Sequence, residues 1–440
     1  MQREGRQLSF ERVISHLREA AANIPDIRTG ANCHYSIQDV ALGAFSVFFT
    51  QSPSFLEFQR RMKQHRSQHN AATLFGVEEI PSDNHIRSLL DGVPADRFYA
   101  VFDAVFEQLN AAGELERFRS VGGDLLLTID GTEYHRSEKI HCEHCRVSTH
   151  TNGTVSYSHA LLTPALVAPH RGEVIALSPE FIRRGDGNKK TEGELTAAKR
   201  WLSRVGERLS PHSVTVVGDD LYATQSFLTA VREAELNFLA VCKPQSHKYL
   251  AEYIESLRAN GDLDRSEHTE WDGREHRRVV YEWSELVPIR ATADAMEVGW
   301  FSVEITGEDG RRIYRNSFIT NHPVTAETVA QLVAAARARW KVENEDINTL
   351  KTKRYNLEHN FGHGAEHLAE TLATLMILAF VLHTVLDLFD ARYRLLRSHI
   401  GRRSRFFSEL ATLLKYLFFP GWQPLLQFMI EHLELPDPGG

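Results

Sequence analysis

Two short apolar runs, Leu125-Leu126-Leu127-Thr128-Ile129 and Val214-Thr215-Val216-Val217-Gly218, each end in an aspartate, Asp130 and Asp219. Runs of this length and composition read as buried strands. A carboxylate at the C-terminal end of such a strand projects into the crevice at the sheet edge, where ligands bind in open α/β sheets. Turns also favour aspartate, so neither residue alone identifies a chemistry.

The rest of the chain supplies layers for those strands. Residues 1–118 read as helical and polar, with Ser82-Asp83 as a cap signal ahead of Ile86, Leu89 and Leu90. From 119 to 239 the pattern predicts strands at Leu125–Ile129, Ser156–Val167 and Glu173–Leu177. A helix follows over Glu192–Val205, then strand, helix and strand at Val214–Val217, Thr224–Ala234 and Phe238–Val241. That order implies a mixed α/β layer. Residues 240–324 read as a β-rich insertion, with strands at Arg278–Tyr281, Gly299–Ile305 and Ile313–Ile319. Helical texture returns over 325–372 and continues through 373–440. The apolar stretch Leu372–Leu388 carries His383 and Asp387, so it reads as a buried helix rather than a membrane span.

Between Thr325 and Leu350 the apolar residues Val329, Leu332, Val333, Ala336, Trp340, Ile347 and Leu350 define one helical face. Glu343 falls on that face, where an unpaired carboxylate is costly. Two readings stay open: a metal ligand, or a salt bridge to Arg339 four residues earlier. Asp346 lies nearer the stripe than Glu345 and is a weaker candidate.

Three carboxylates brought together suit magnesium, a hard cation that prefers oxygen ligands, phosphate and water; manganese is an acceptable substitute. Two such ions activate a water or a 3′-hydroxyl and stabilise the leaving oxygen of a phosphodiester. The sequence has no convincing Ser or Cys nucleophile motif.

The segments LTIDGTEY around Asp130, VVGDDLYA around Asp219 and RWKVENEDINTLKTKRYNLEHNFGHG from Arg339 resemble bacterial insertion-sequence transposases of the Asp-Asp-Glu class. Arg339 and Glu343 fit the spacing of the Tyr-Arg-Glu-Lys signature of one branch. Ala336 stands at the signature tyrosine, and Leu350 at the signature lysine, with Lys351 one later. The resemblance implies an RNase H-like mixed sheet with helices on both faces, interrupted by the β-rich insertion. It implies Asp130, Asp219 and Glu343 as Mg2+ ligands, with Asp219 preferred to Asp220 because it stands at the strand end. It also implies DNA as partner, meaning terminal inverted repeats and target, with cleavage and joining by a homodimer in the bacterial cytoplasm. The alternatives are a nuclease of the same fold and a non-catalytic DNA-binding derivative.

Cys142 and Cys145 form a C-x-x-C pair with His150 and His159 downstream, either a structural zinc site or reduced thiols in a polar hairpin. His359, His363 and His367 recur every four residues, but Gly362 and Gly364 weaken a regular helix, so packing or a DNA-backbone contact is the expected role. The net charge of -8 argues mildly against a protein that coats DNA. Local basic clusters offset it: Arg60, Arg61, Lys63 and Arg66; Arg183, Arg184, Lys189 and Lys190; and Arg392, Arg394, Arg397, Arg402, Arg403 and Arg405. Arg339, Lys351, Lys353 and Arg354 flank Glu343 and are the expected DNA contacts. Four cysteines make no disulfide framework, which agrees with a reducing compartment.

Overall fold

A computed structural model describes residues 8–26, 28, 33–62, 69–187 and 190–438, without the side chains of 190–192. Thirteen strands occur among these residues: β1 (Leu125–Thr128), β2 (Gly131–Ser137), β3 (Arg146–Thr149), β4 (Val155–Leu162), β5 (Ala165–Val167), β6 (Ile175–Ala176), β7 (Glu180–Ile182), β8 (Val214–Gly218), β9 (Asn237–Val241), β10 (Asp264–Trp271), β11 (His276–Pro288), β12 (Glu297–Thr306) and β13 (Arg312–Thr320). Nine form one sheet in the order β10-β11-β12-β13-β9-β8-β1-β5-β6. Its centre is parallel, β1 with β8 and β8 with β9, and the remaining pairs are antiparallel. A second sheet runs β2-β4-β3, with β7 also paired to β4.

Besides its crossings after β6 and after β7, the chain passes between the two sheets at two short breaks. Ile129-Asp130 separates β1 from β2, and Thr163-Pro164 separates β4 from β5. The stretch expected as one strand over Ser156–Val167 is therefore two. Pro164 has no amide proton to continue a ladder. The two breaks are tied together, since the Thr163 amide donates to the Asp130 carbonyl at 3.0 Å.

Side chains of β1 alternate as a pleated strand requires. Leu125 and Leu127 enter one core with Trp201, Phe227 and the terminal helices. Leu126 enters the other, with Val217, Phe301, Val329 and Leu332. Helices thus cover both faces of the central sheet, the RNase H-like arrangement expected from the sequence. Ala197, Ala198, Trp201 and Leu202 of helix Lys190–Leu209 are buried, as their spacing predicts.

The 240–324 segment is less purely β than expected. It opens with helix Lys248–Asn260, which buries only Leu250 and Ile254 and so has a weak apolar signal. Strands β10 to β13 then extend the core sheet beyond β9. Strand β10 is invisible to apolar patterning because its residues are exposed or half-buried.

Helix Leu368–Phe389 is long and apolar enough to cross a membrane, yet it is mostly buried within the protein. The N-terminal helices share its core: Phe10 stacks on Trp422 with centroids 4.8 Å apart, and Phe49 lies 4.6 Å from His383. Ser82 caps helix Asp83–Asp91 by accepting the His85 amide at 3.3 Å, as the sequence signals.

Lys341 anchors the Glu343 helix to the turn after β5. Its buried ammonium donates to the carbonyls of Ala168 (2.7 Å), Pro169 (3.0 Å) and Arg171. Removing one buried partner leaves acceptors unsatisfied at roughly 1–3 kcal/mol each. Lys341→Met is expected to lower unfolding free energy by about 2–4 kcal/mol in denaturant titration. A loss below about 0.5 kcal/mol would show that the anchor is dispensable.

Candidate active site

Strands β1 and β8 run parallel with Thr128 opposite Val217. Asp130 and Asp219 each come two residues later, so both emerge at the same level of the same sheet edge. The turn after β8 is compact. Leu221 donates its amide to Asp219 Oδ1 at 2.8 Å, and Tyr222 donates to the Asp219 carbonyl at 3.1 Å. Gly218 permits this closure, because a Cβ there would lie 2.7 Å from Tyr222 Cβ. Asp220 turns away: it accepts the Lys243 amide at 2.6 Å and the Ser246 hydroxyl, and faces His247 at 3.5 Å.

A third carboxylate stands beside Asp130, and it is one that sequence reasoning missed. Glu194 on helix Lys190–Leu209 is 6% exposed and accepts the Tyr222 hydroxyl at 2.9 Å. Its Oε2 reaches within 2.5 Å of where a Gly131 Cβ would be, so only glycine leaves it room. The signal was available, because Glu194 shares the inward spacing of Ala197, Ala198 and Trp201. Burial, then the nearby Glu194 and Asp219 carboxylates, push Asp130 up to about 6, while Arg339 opposes the rise. The oxygens of Asp130, Glu194 and Asp219 do not all lie within 4.8 Å of one another.

Glu343 does not lie on the buried stripe. The α-helix Val329–Arg337 stops short of it, and the backbone widens to a π-helix over Val342–Ile347 before helix Asn348–Thr352. A π segment adds a residue to a turn and rotates the next residues about the axis, a feature often found at functional sites. The Glu343 side chain is 62% exposed, and Trp340 is 50% exposed rather than inward. Arg339 bridges the acids, with Nη1 3.8 Å from Asp130 Oδ2 and Nη2 3.9 Å from Glu343 Oε2. The oxygens of Asp130, Asp219 and Glu343 do not all lie within 4.8 Å of one another. The salt bridge open to Glu343 on sequence grounds is thus present, and it is shared with Asp130.

The predicted DNA contacts diverge. Lys351 pairs with Glu358 at 2.8 Å, and Lys353 faces Glu345 at 3.7 Å in a groove that Arg394, Arg397 and Arg403 also line. Arg354 donates to Ser408 at 2.8 Å, beside a different groove lined by Arg61 and Lys415. Much of the C-terminal arginine cluster is structural. Arg392 pairs with Asp437 at 2.8 Å, Arg394 caps the Leu388 carbonyl at 2.8 Å, and Arg403 donates to the Tyr355 hydroxyl at 2.8 Å. Arg183 faces Glu370 at 3.3 Å. Lys63, Arg66 and Lys189 lie outside the described residues, as does the Lys190 side chain.

Cys142, Cys145 and His159 converge, but His150 does not join them. His150 Nε2 bonds the Ser156 hydroxyl at 2.8 Å, on the same hairpin but away from the sulfurs. The fourth member is His363. Of the other histidines of that series, His359 packs against Phe361, and His367 against His144.

The deeply buried carboxylate of this helix is Asp346. It is 0% exposed, neither oxygen has a hydrogen-bond partner, and burial pushes it up to about 8. Between the ordinary value of 3.8 and about 8, the folded protein holds a proton that the unfolded chain has lost. Stability present at low pH is therefore lost as pH rises through that window. Asp346→Asn is expected to flatten the fall in thermal midpoint between about pH 5 and about pH 8. Parallel curves for the variant and the parent would show that Asp346 does not titrate there.

Residues 174–382 match the family model of the transposase DDE domain, a range that includes Asp219 and Glu343. No curated protein matches the chain. With two aspartates level at the edge of an RNase H-like sheet and a glutamate helix beside them, the geometry agrees with that match, which supports a DDE-type transposase.

Proposed function

We propose that this protein is an insertion-sequence transposase that cleaves the ends of its element and joins them to target DNA. Asp130, Asp219 and Glu343 are the carboxylates that would hold Mg2+, with Mn2+ as substitute. The observation that carries this reading is the β1–β8 register, which sets Asp130 and Asp219 level with each other, together with Arg339 reaching both Asp130 and Glu343. Cations held by these carboxylates would supply activation of a water or a 3′-hydroxyl and stabilisation of the departing oxygen.

The chain's own residues supply position and charge. Tyr222 donates to Glu194, which sets a buried acid against Asp130 and leaves both aspartates facing the crevice. Asp219 is the ligand rather than Asp220, whose oxygens are taken by the 243–247 turn. Arg339 pairs with Asp130 and Glu343, and its forked guanidinium suits phosphate.

Membership of the Tyr-Arg-Glu-Lys branch gains support from the π-helix. One added residue in the turn gives Lys351 the helical position that residue 350 would take in an unbroken α-helix. Lys351 is then the signature lysine, poised for the DNA end. Ala336 still departs from the signature, so no tyrosine acts at that place. The enzyme works on terminal inverted repeats as a homodimer, in the cytoplasm.

The test uses labelled element-end DNA and a target plasmid with Mg2+ or Mn2+. Asp130→Asn, Asp219→Asn and Glu343→Gln should each cut cleavage at least about a hundredfold while keeping parental circular dichroism. The parent should also form joined products. Full activity in Glu343→Gln would sink the assignment. Cleavage without joined products would reduce the protein to a nuclease.

A further inference from the structure

Outside the acidic site, four metal-ligating side chains converge from two distant parts of the chain. Cys142 and Cys145 lie in the loop between β2 and β3, His159 lies on β4, and His363 comes after the Glu343 helix. The two sulfurs are 3.9 Å apart, and His159 Nε2 is 3.3 Å from each. His363 Nε2 is 3.4 Å from Cys145 Sγ and 3.1 Å from His159 Nε2. All four ligand atoms lie within 4.8 Å of one another.

Five of the six separations are close to the edges of a zinc tetrahedron, and the sixth, Cys142 to His363, is within 4.8 Å. Zinc sits about 2.3 Å from sulfur and about 2.0–2.1 Å from nitrogen, which sets edges of roughly 3.8 Å between sulfurs and roughly 3.3 Å between nitrogens. The sulfur separation of 3.9 Å is far beyond a disulfide bond, so the pair is two thiols. His363 is also oriented as a ligand: its Nδ1 donates to the Gly364 carbonyl at 2.9 Å, which leaves the Nε2 lone pair facing the cluster.

We propose that Cys142, Cys145, His159 and His363 bind one structural zinc ion. Two thiolates and two imidazoles in a tetrahedron select zinc among common divalent cations. Four protein ligands leave no open position for a reacting water, so the role is structural. Each thiol gives up its proton on binding. The ion closes a loop that local structure does not close. Strand β4 pairs with β2, which begins at the residue after Asp130, while His363 belongs to the segment behind Glu343. Zinc thereby staples the strands that present one acid to the segment that trails the other.

Full-length protein purified under reducing conditions without chelator should contain one zinc per chain by mass spectrometry of the metal. His363→Ala and Cys145→Ser should lose it, and His150→Ala should keep it. Should those variants misfold, Co2+ added to metal-stripped parent gives an independent reading. Intense tetrahedral bands and thiolate charge transfer are expected, and added Zn2+ should erase them. Zinc removal should also lower the thermal midpoint. A metal-free parent with an unchanged midpoint would overturn the proposal, as would a folded His363→Ala variant that retains its zinc. Loss of DNA cleavage with zinc intact would bear only on the carboxylates.

Discussion

Burying acids beside one another is the constraint around which this structure is organised. Asp130, Asp219 and Glu194 lie close together at the edge of an apolar sheet, and burial together with their mutual repulsion raises Asp130 well above its ordinary range. Such a cluster survives only where packing elsewhere overdetermines it. The packing here is the central sheet, clothed on both faces by large apolar side chains.

The same requirement explains the bend at Asp130. Strands β1 and β2 are consecutive but belong to different sheets, and β4 and β5 repeat the change at Thr163-Pro164. The hydrogen bond from Thr163 to the Asp130 carbonyl locks the two breaks in register. Gly131 then leaves room for Glu194. On the far side, Lys341 fastens the Glu343 helix to the turn after β5. The proposed zinc site would tie β4 to the segment that follows Glu343. Each acid is thus fixed by contacts made at some distance from it, as a preorganised site requires.

The 240–324 segment is no separate appendage. Its long strands β10 to β13 continue the core sheet past β9, and their inner faces share a core with helix Val329–Arg337. The helix leading to Glu343 therefore rests partly on those strands. The N-terminal and C-terminal helices are likewise one packed unit, centred on Phe10, Phe49 and Trp422. That is why so many C-terminal arginines serve packing rather than a solvent face.

Local chemistry was legible in the chain itself. Apolar runs named the buried strands, their terminal aspartates named two candidate ligands, and the C-x-x-C pair named half of a Cys/His cluster. These signals depend on near neighbours in sequence, and period and composition report near neighbours faithfully. Long-range geometry was not legible. An unbroken α-helix would put Glu343 on a buried stripe, but the helix ends at Arg337 and the turn at 338–339 sends Trp340 and Glu343 outward, while Asp346 is buried. His150 is nearer in sequence to the cysteines, but strand pairing and the return of the chain after Glu343 put His363 there instead. Glu194 carried the right spacing but no hint of its partner across the sheet. Local patterns of residues set which elements form and what side chains they carry. Which of those side chains meet is set by the packed fold, because contacts between residues remote in the chain arise from packing that no local pattern encodes.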